Sequence, residues 1–286
     1  MPELPEVETI RQDLRAVLRK KKITAVTVRK PRMVVGSPRK LVVTLRGNTI
    51  TEIDRRAKLL IFHLQRGDHF LLLHLKMTGQ LIYRSPRTTI AGGHGWPPVG
   101  PDLPNKYSHL IITFADRGQL FFNDLRQFGY VELVTREHKE MITKTYGIEP
   151  LTPEFTWPAF REAVRPRTAP LKQVLLNQAV IAGLGNIYVD EVCFYAKVRP
   201  QRRAHRLTHA ELKQLYRGCN HIIQQAIKHR GTTFSDYRDT QGRRGNYWRR
   251  LKVYGRAGKP CRRCATALQK TMVAGRGTTY CPQCQP

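Results

Sequence analysis

The stretch Leu41 to Leu75, LVVTLRGNTITEIDRRAKLLIFHLQRGDHFLLLHL, decides the fold of the first half of this chain. It reads as four short β-rich runs, Leu41 to Leu45, Thr49 to Arg56, Leu59 to Leu64 and Phe70 to Leu75. Further runs flank it: Ile23 to Val28 on one side, Leu110 to Phe114 and Gln119 to Phe122 on the other, the last two joined by Ala-Asp-Arg-Gly. So many short strands predict a β-sandwich or flattened barrel. Ahead of them, Val7, Ile10, Leu14, Val17 and Leu18 recur at helical spacing within Leu4 to Lys20, with Pro5 and two glutamates suited to a first turn. A helix therefore flanks the sandwich. The Pro- and Gly-rich segment Arg84 to Lys106 has no periodicity and reads as a long surface loop.

From about Thr152 the pattern becomes helical, which places a boundary between Gly147 and Pro153. The clearest helix follows Thr208, where Thr-His-Ala-Glu211 forms a capping box ahead of Leu212, Leu215, Tyr216, Cys219, Ile222, Ile223 and Ile227. Thr232 to Tyr247 carries no apolar stripe and is expected to be a mobile loop. The fold class is α+β, with expected domains at residues 1–150, 151–250 and 251–286.

With 50 Lys and Arg against 21 Asp and Glu, the formal charge is +29, far beyond what solubility needs. Nucleic acid is the simplest large polyanion to match it. From Val192 onward the acidic residues are Glu211, Asp236 and Asp239, against 21 Lys and Arg by count, so the basic footprint lies in this tail. An anionic membrane competes as a partner, but no apolar run approaches the roughly 20 residues of a spanning helix. The opening MPELPEVETIR lacks a signal-peptide core, so a cytosolic protein without membrane contact is expected.

Four of the six cysteines fall in one segment, as Cys261-x2-Cys264, sixteen intervening residues, then Cys281-x2-Cys284. Two such knuckles can close a tetrahedral thiolate site, and four protein ligands leave no open coordination position for chemistry. One structural Zn2+ on a hairpin is expected. The site's formal charge of −2 can be offset by Lys259, Arg262, Arg263, Lys270 and Arg276 while these face phosphate. Cys193 and Cys219 lie in apolar helical patterns and read as packing residues. Ala182-Gly-Leu-Gly-Asn186 separates two helical stretches, and free amides at that helix start favour a phosphate. A simple turn capped by Asn186 is the competing reading.

Six motifs in order, MPELPEVET, RRAKLL around Lys58, HLKMTG around Met77, DLRQFG around Arg126, AGLGNIYVDE around Asn186 and the terminal GRGTTYCPQCQ, closely resemble the formamidopyrimidine-DNA glycosylase family nearly end to end. The resemblance implies an N-terminal β-sandwich with flanking helices, a helix-two-turn-helix domain and a four-cysteine zinc finger. It also implies a monomeric bacterial repair enzyme, associated with the nucleoid through its DNA. Its partner is double-stranded DNA carrying oxidised bases or abasic sites.

By that resemblance, Pro2, which presents a secondary amine once Met1 is removed, is the nucleophile that attacks the sugar C1′, and β and δ eliminations follow. An α-amine of pKa about 8 is partly neutral at pH 7 and needs no further activation. Positive partial charge at the helix start disfavours ammonium, whereas Glu3 and Glu6 push the other way. Glu3 is the implied proton donor, Lys58 assists β-elimination, Arg276 assists δ-elimination and Glu6 supports the site. Read alone, Pro2 and Glu3 only start a helix and Lys58 is a solvated strand residue; the joint motif match overturns both readings. Met77, Arg126 and Phe128 are the implied trio that fills the void left by a flipped nucleotide, although Met77 and Phe128 taken singly look like core residues. Lys172, Asn186 and Arg167 are expected to bind phosphates, and the loop from Gly231 to Tyr237 to cover the flipped base. Tyr107-Ser108-His109 departs from the family's His-Asp-His stretch. Tyr107 holds the aligned contact position there, and His109 reads as structural.

Overall fold

The computed structural model describes residues 2–95, 98–100, 102–232 and 245–286. Its elements are α1 (Leu4–Leu18), β1 (Ile23–Val28), β2 (Val34–Val35), α2 (Pro38–Leu45), β3 (Ile50–Arg56), β4 (Leu59–Leu64), β5 (His69–His74), β6 (Gly79–Arg84), β7 (Thr89–Gly93), β8 (Ser108–Phe114), β9 (Gln119–Asp124), β10 (Tyr130–Thr135), α3 (Arg136–Lys144), α4 (Trp157–Val164), α5 (Leu171–Leu176), α6 (Asn186–Tyr195), α7 (His209–Lys228), β11 (Gln269–Val273) and β12 (Arg276–Tyr280). They fall into two compact units, one of Met1–Lys144 with His229–Trp248, the other of Thr145–Lys228 with Arg249–Pro286.

The first unit is built on two five-stranded sheets, ordered β1-β8-β9-β6-β7 and β2-β10-β5-β4-β3. Pairing is antiparallel except between β10 and β2. Alternating side chains of both sheets, among them Leu60, Phe62, Leu71, Leu73, Leu81, Leu110, Ile112 and Phe122, meet in one buried cluster, which makes the expected sandwich. Val7, Ile10, Leu14 and Leu18 of α1 join it at helical spacing.

Leu41 to Leu45 is not a strand but the end of α2. Ser37 caps this helix by accepting the Lys40 amide at 3.2 Å, and Pro38 takes the first turn. Leu41 and Leu45, one turn apart, reach the core, so the apolar face overrides the β-propensity of Val42, Val43 and Thr44. The segment Arg84 to Lys106 also departs from a plain surface loop, because it contains β7. Ile82, Ile111 and Phe121 form a second apolar patch together with Ala91, and Val99 and Leu103 pack against it. The Arg84 guanidinium donates to the Gly100 carbonyl at 2.6 Å, holding the segment down. A sheet with apolar side chains on both faces needs a cover on each, and part of this segment supplies it.

In the second unit α7 packs on α6 and α4, and the capping box holds: Thr208 N donates to Glu211 Oε2 at 2.8 Å while Glu211 N donates to Thr208 Oγ1 at 3.2 Å. Phe155, Phe160, Trp157 and Tyr216 form an aromatic cluster between α4 and α7. The β11–β12 hairpin turns at Ala274 and Gly275, both at positive φ (49° and 71°), the requirement of a type I′ turn. Among the described residues no helix is long and apolar enough to cross a membrane.

Candidate active site and nucleic-acid surface

Pro2 and Glu3 are buried at the start of α1. Glu3 is the N-cap of that helix in a reciprocal capping box: its side chain accepts the Glu6 backbone amide, and Glu6 Oε2 accepts the Glu3 amide at 2.9 Å. The other Glu6 oxygen accepts the Thr232 amide at 2.8 Å and its hydroxyl at 3.1 Å. A Cβ on Gly231, which has φ +77°, would meet that oxygen at 2.5 Å, so only glycine lets the strand of backbone pass so near. Glu6 thus joins the first turn of α1 to the residues that begin the expected base-covering loop. The remainder of that loop, from Thr233 to Tyr237, lies outside the described residues.

Lys58 occupies the two-residue turn between β3 and β4, behind Ala57 at φ +54°, and is buried. The turn is tied to α1 through Arg55, whose guanidinium donates to Ala57 O at 2.7 Å and to Glu8 at 3.0 Å. Glu8 also accepts from the Arg11 guanidinium, and Arg11 and Arg55 together outweigh burial and hold its carboxyl below its usual range. Leu59 pairs with His74 across the ladder. Burial, with Lys76 and Lys58 nearby, pushes the His74 imidazole down to about 3, and its Nδ1 accepts the Lys76 amide at 2.9 Å. A neutral imidazole therefore neighbours Lys58.

Met77 and Phe128 are exposed, 38% and 51%, although large and apolar. The Arg126 guanidinium lies 4.6 Å from the Phe128 ring centre and donates to Met77 Sδ at 3.4 Å. The three side chains form one amphipathic cluster. Tyr107 is half-buried, with the Lys106 ammonium over its ring. His109 is enclosed and its Nε2 donates to the Asp124 carbonyl at 2.7 Å.

In the second unit Asn186 opens α6 behind an N-cap at Gly185, so it is not itself the cap. The expected phosphate contact at Lys172 takes another form: its ammonium is wholly enclosed, 2.6 Å from Asp190 Oδ1 and 3.0 Å from Gly277 O. Asn186 Nδ2 donates to the same Gly277 carbonyl at 3.1 Å, and Asp190 Oδ2 accepts the Thr279 amide at 2.9 Å. Burial raises the Asp190 carboxyl to about 6 against the pull of Lys172. Lys172 and Asn186 therefore both hold strand β12, whose first residue is the exposed Arg276. Arg167 is exposed on the same unit.

Sequence reasoning passed over two buried carboxylates, one in each unit. Glu191, raised by complete burial, accepts the amides of Lys252, Val253 and Tyr254 at 2.9 Å each, fixing the approach to the cysteine segment. Asp124, inside the quoted DLRQFG motif, is the other.

Among the described residues Cys261, Cys264, Cys281 and Cys284 bring their sulfur atoms within 4.8 Å of one another, with Cys264 and Cys281 at 3.5 Å. A tetrahedron with Zn–S bonds of about 2.3 Å has edges of roughly 3.8 Å, so the set fits one zinc ion. The amides of Arg263 and Cys284 point at Cys261 and Cys281 sulfur, as they would at thiolates. Phe194, Val253 and Leu268 enclose Cys261 and Cys281, so a zinc ion held there would tie the hairpin against α6 in a structural role.

Residues 1–131 match the formamidopyrimidine-DNA glycosylase N-terminal domain, 146–238 its helix-two-turn-helix domain and 258–286 the zinc finger found in these enzymes and in isoleucyl-tRNA synthetases. A formamidopyrimidine-DNA glycosylase of Pelotomaculum thermopropionicum is 41% identical, covering 100% of this chain and 99% of its own. The Lactococcus lactis Fpg protein solved with DNA containing an abasic site superposes with a TM-score of 0.87 at 38% identity, over 99% of both chains. The same protein has been solved with DNA containing an oxidised pyrimidine, at TM-score 0.86, 38% identity and 99% coverage of both chains. With all three domains matched in order and the cysteine site in place, the chain belongs to the formamidopyrimidine-DNA glycosylase family and is a DNA glycosylase with abasic-site lyase activity.

Proposed function

We propose that this enzyme removes oxidised purines, 8-oxoguanine and formamidopyrimidines, from duplex DNA and then cleaves the abasic site by β,δ-elimination through a Schiff base on Pro2. The observation that carries the reading is the pair of buried residues at the start of α1, Pro2 next to a Glu3 carboxyl whose orientation is fixed by the capping box. With Met1 removed, the secondary amine adds to the sugar C1′ while Glu3 supplies the proton that the departing base and opening ring require. The resulting iminium acidifies the C2′ proton. Lys58 assists its removal and expulsion of the 3′ phosphate, and Arg276 assists loss of the 5′ phosphate. Met77, Arg126 and Phe128 enter the stack where the nucleotide has left, Arg126 offering donors to the orphaned base. Tyr107, Arg167 and Asn186 are assigned to backbone phosphates, and Lys172 supports that role through strand β12. The zinc hairpin presents Arg276.

The oxidised pyrimidine bound to the Lactococcus lactis relative favours a second reading, in which pyrimidine lesions are also substrates. Incision of duplexes carrying 8-oxoguanine opposite cytosine and thymine glycol opposite adenine tests both. Preferred cleavage of the first supports the purine reading, and preferred cleavage of the second replaces it.

A further inference from the structure

Three loops at one end of the sandwich converge on Asp124. This residue is 1% exposed at the end of β9, and its carboxylate faces backbone and hydroxyl donors from different segments. The Thr78 hydroxyl, from the turn that carries Met77, donates to Oδ1. The Arg126 amide donates to the same oxygen at 3.1 Å and to Thr78 Oγ1 at 3.0 Å. The Gly129 amide, on the far side of Phe128, donates to Oδ2 at 2.7 Å. Main-chain atoms of Asp124 complete the convergence, its carbonyl accepting from His109 Nε2 and its amide donating to Tyr107 O at 3.1 Å.

The Met77 turn closes on itself through the Gly79 amide and Leu75 O at 3.0 Å, and the Asp124 carboxylate ties it to the Arg126 to Phe128 turn. Gln127 lies at φ +55° and Lys76 at φ +48°, a region costly for residues with a Cβ. Gly129 has no room for a side chain: a Cβ would fall 3.0 Å from Asp124 Oδ2 and 2.7 Å from the Phe122 ring. The exposed Met77 and Phe128 contribute little packing of their own, so the bases of their loops must fix them. A wedge that enters a base stack gains from being ordered beforehand, since loose loops would lose their freedom during insertion.

We propose that Asp124 is a positioning residue for base extrusion: its carboxylate holds the Met77 turn and the Arg126 to Phe128 turn in one register, so that both sides of the wedge enter the duplex together. The assignment rests on the proposed role of Met77, Arg126 and Phe128. Asparagine cannot replace the carboxylate, because its amide group would face an N–H donor on one side or the other.

The test compares single-turnover cleavage of two duplexes by the intact enzyme, one with 8-oxoguanine opposite cytosine and one with a preformed abasic site, where no base has to be extruded. Asp124→Asn and Thr78→Val are each expected to slow the first by about tenfold, the factor carried by a lost hydrogen bond to a buried charged group. Both are expected to leave the second within about twofold, a split that a general loss of folding cannot give. The double variant is expected to be no slower than Asp124→Asn, since the two side chains share one network. Thr78→Val removes only a hydroxyl and keeps the test open should Asp124→Asn unfold. Equal losses on both duplexes, or none on either, overturn the proposal. Arg126→Ala serves as the reference. If it separates the two duplexes and the positioning variants do not, the role of Asp124 is wrong; if it does not separate them, the wedge reading falls and the proposal with it.

Discussion

The Glu6 carboxylate accepts the backbone amide of Thr232 at 2.8 Å, across a sequence separation of 226 residues. Its other oxygen orients Glu3, so one side chain holds both the proposed proton donor and the backbone at Thr232. Glutamine at position 6 can keep one of these acceptors but turns an amide group on the other donor. Glu6→Gln is expected to slow base excision by on the order of tenfold with a smaller effect of Thr232→Val, read from single-turnover rates at saturating enzyme. An unchanged rate would separate Glu6 from the alignment of Glu3.

The Lys172–Asp190 pair gives a stability prediction. Lys172→Ala leaves a wholly buried carboxylate facing the Thr279 amide alone, and loss of about 3–5 kcal/mol is expected. Lys172→Met combined with Asp190→Asn removes both charges while keeping an acceptor for Thr279, and should recover more than half of that. Urea unfolding of both variants measures the difference, and equal losses would contradict the pairing.

His74 sets an acid dependence. Its imidazole, held down to about 3 by burial and the neighbouring lysines, stays neutral in the folded chain, while the unfolded chain protonates near 6.5. Stability present above about pH 6.5 is therefore lost as pH falls from there toward 3, with a slope of at most about 1.4 kcal/mol per pH unit for one proton. His109, also lowered chiefly by burial, acts in the same direction. His74→Gln should flatten, without abolishing, the decline in unfolding temperature between pH 6.5 and 5; an unaltered decline would exclude His74 as its source.

Zinc removal has a bounded consequence. Cys261 and Cys281 are part of the apolar cluster with Phe194, Val253 and Leu268, whereas the sandwich core is built from other residues. Stripping the ion should release the hairpin that presents Arg276 and weaken duplex binding by at least about 100-fold, while amide protons of β4, β5 and β9 keep their protection. Fluorescence anisotropy and hydrogen exchange on the metal-free enzyme measure the two parts. Tight binding by verified metal-free protein would contradict the role given to the finger.

What could be read from sequence followed the range of the interaction. The zinc site was legible because each knuckle is local and the ligand chemistry fixes the rest. The strands from Thr49 to Leu75 were legible from their apolar runs, and the helix after Thr208 from its cap. Leu41 to Leu45 misled because three consecutive β-branched side chains stand in a helix whose signal, Ser37 and Pro38, lies just upstream. The cover formed by part of Arg84 to Lys106 depends on an apolar patch contributed by Ile82, Ile111 and Phe121, which no local pattern announces. The buried pairing of Lys172 could not be read locally, because its partners, Asp190 and Gly277, are 18 and 105 residues away. Asp124 stood inside a quoted motif, but its donors come from turns that only the sheet topology assembles.

Borohydride trapping tests the central claim most directly. The enzyme incubated with duplex containing 8-oxoguanine or an abasic site should form a covalent adduct that proteolysis and mass spectrometry map to the Pro2 amine, and a chain retaining Met1 should form none. An adduct mapped to Lys58, or full trapping with the Pro2 amine blocked, would contradict it.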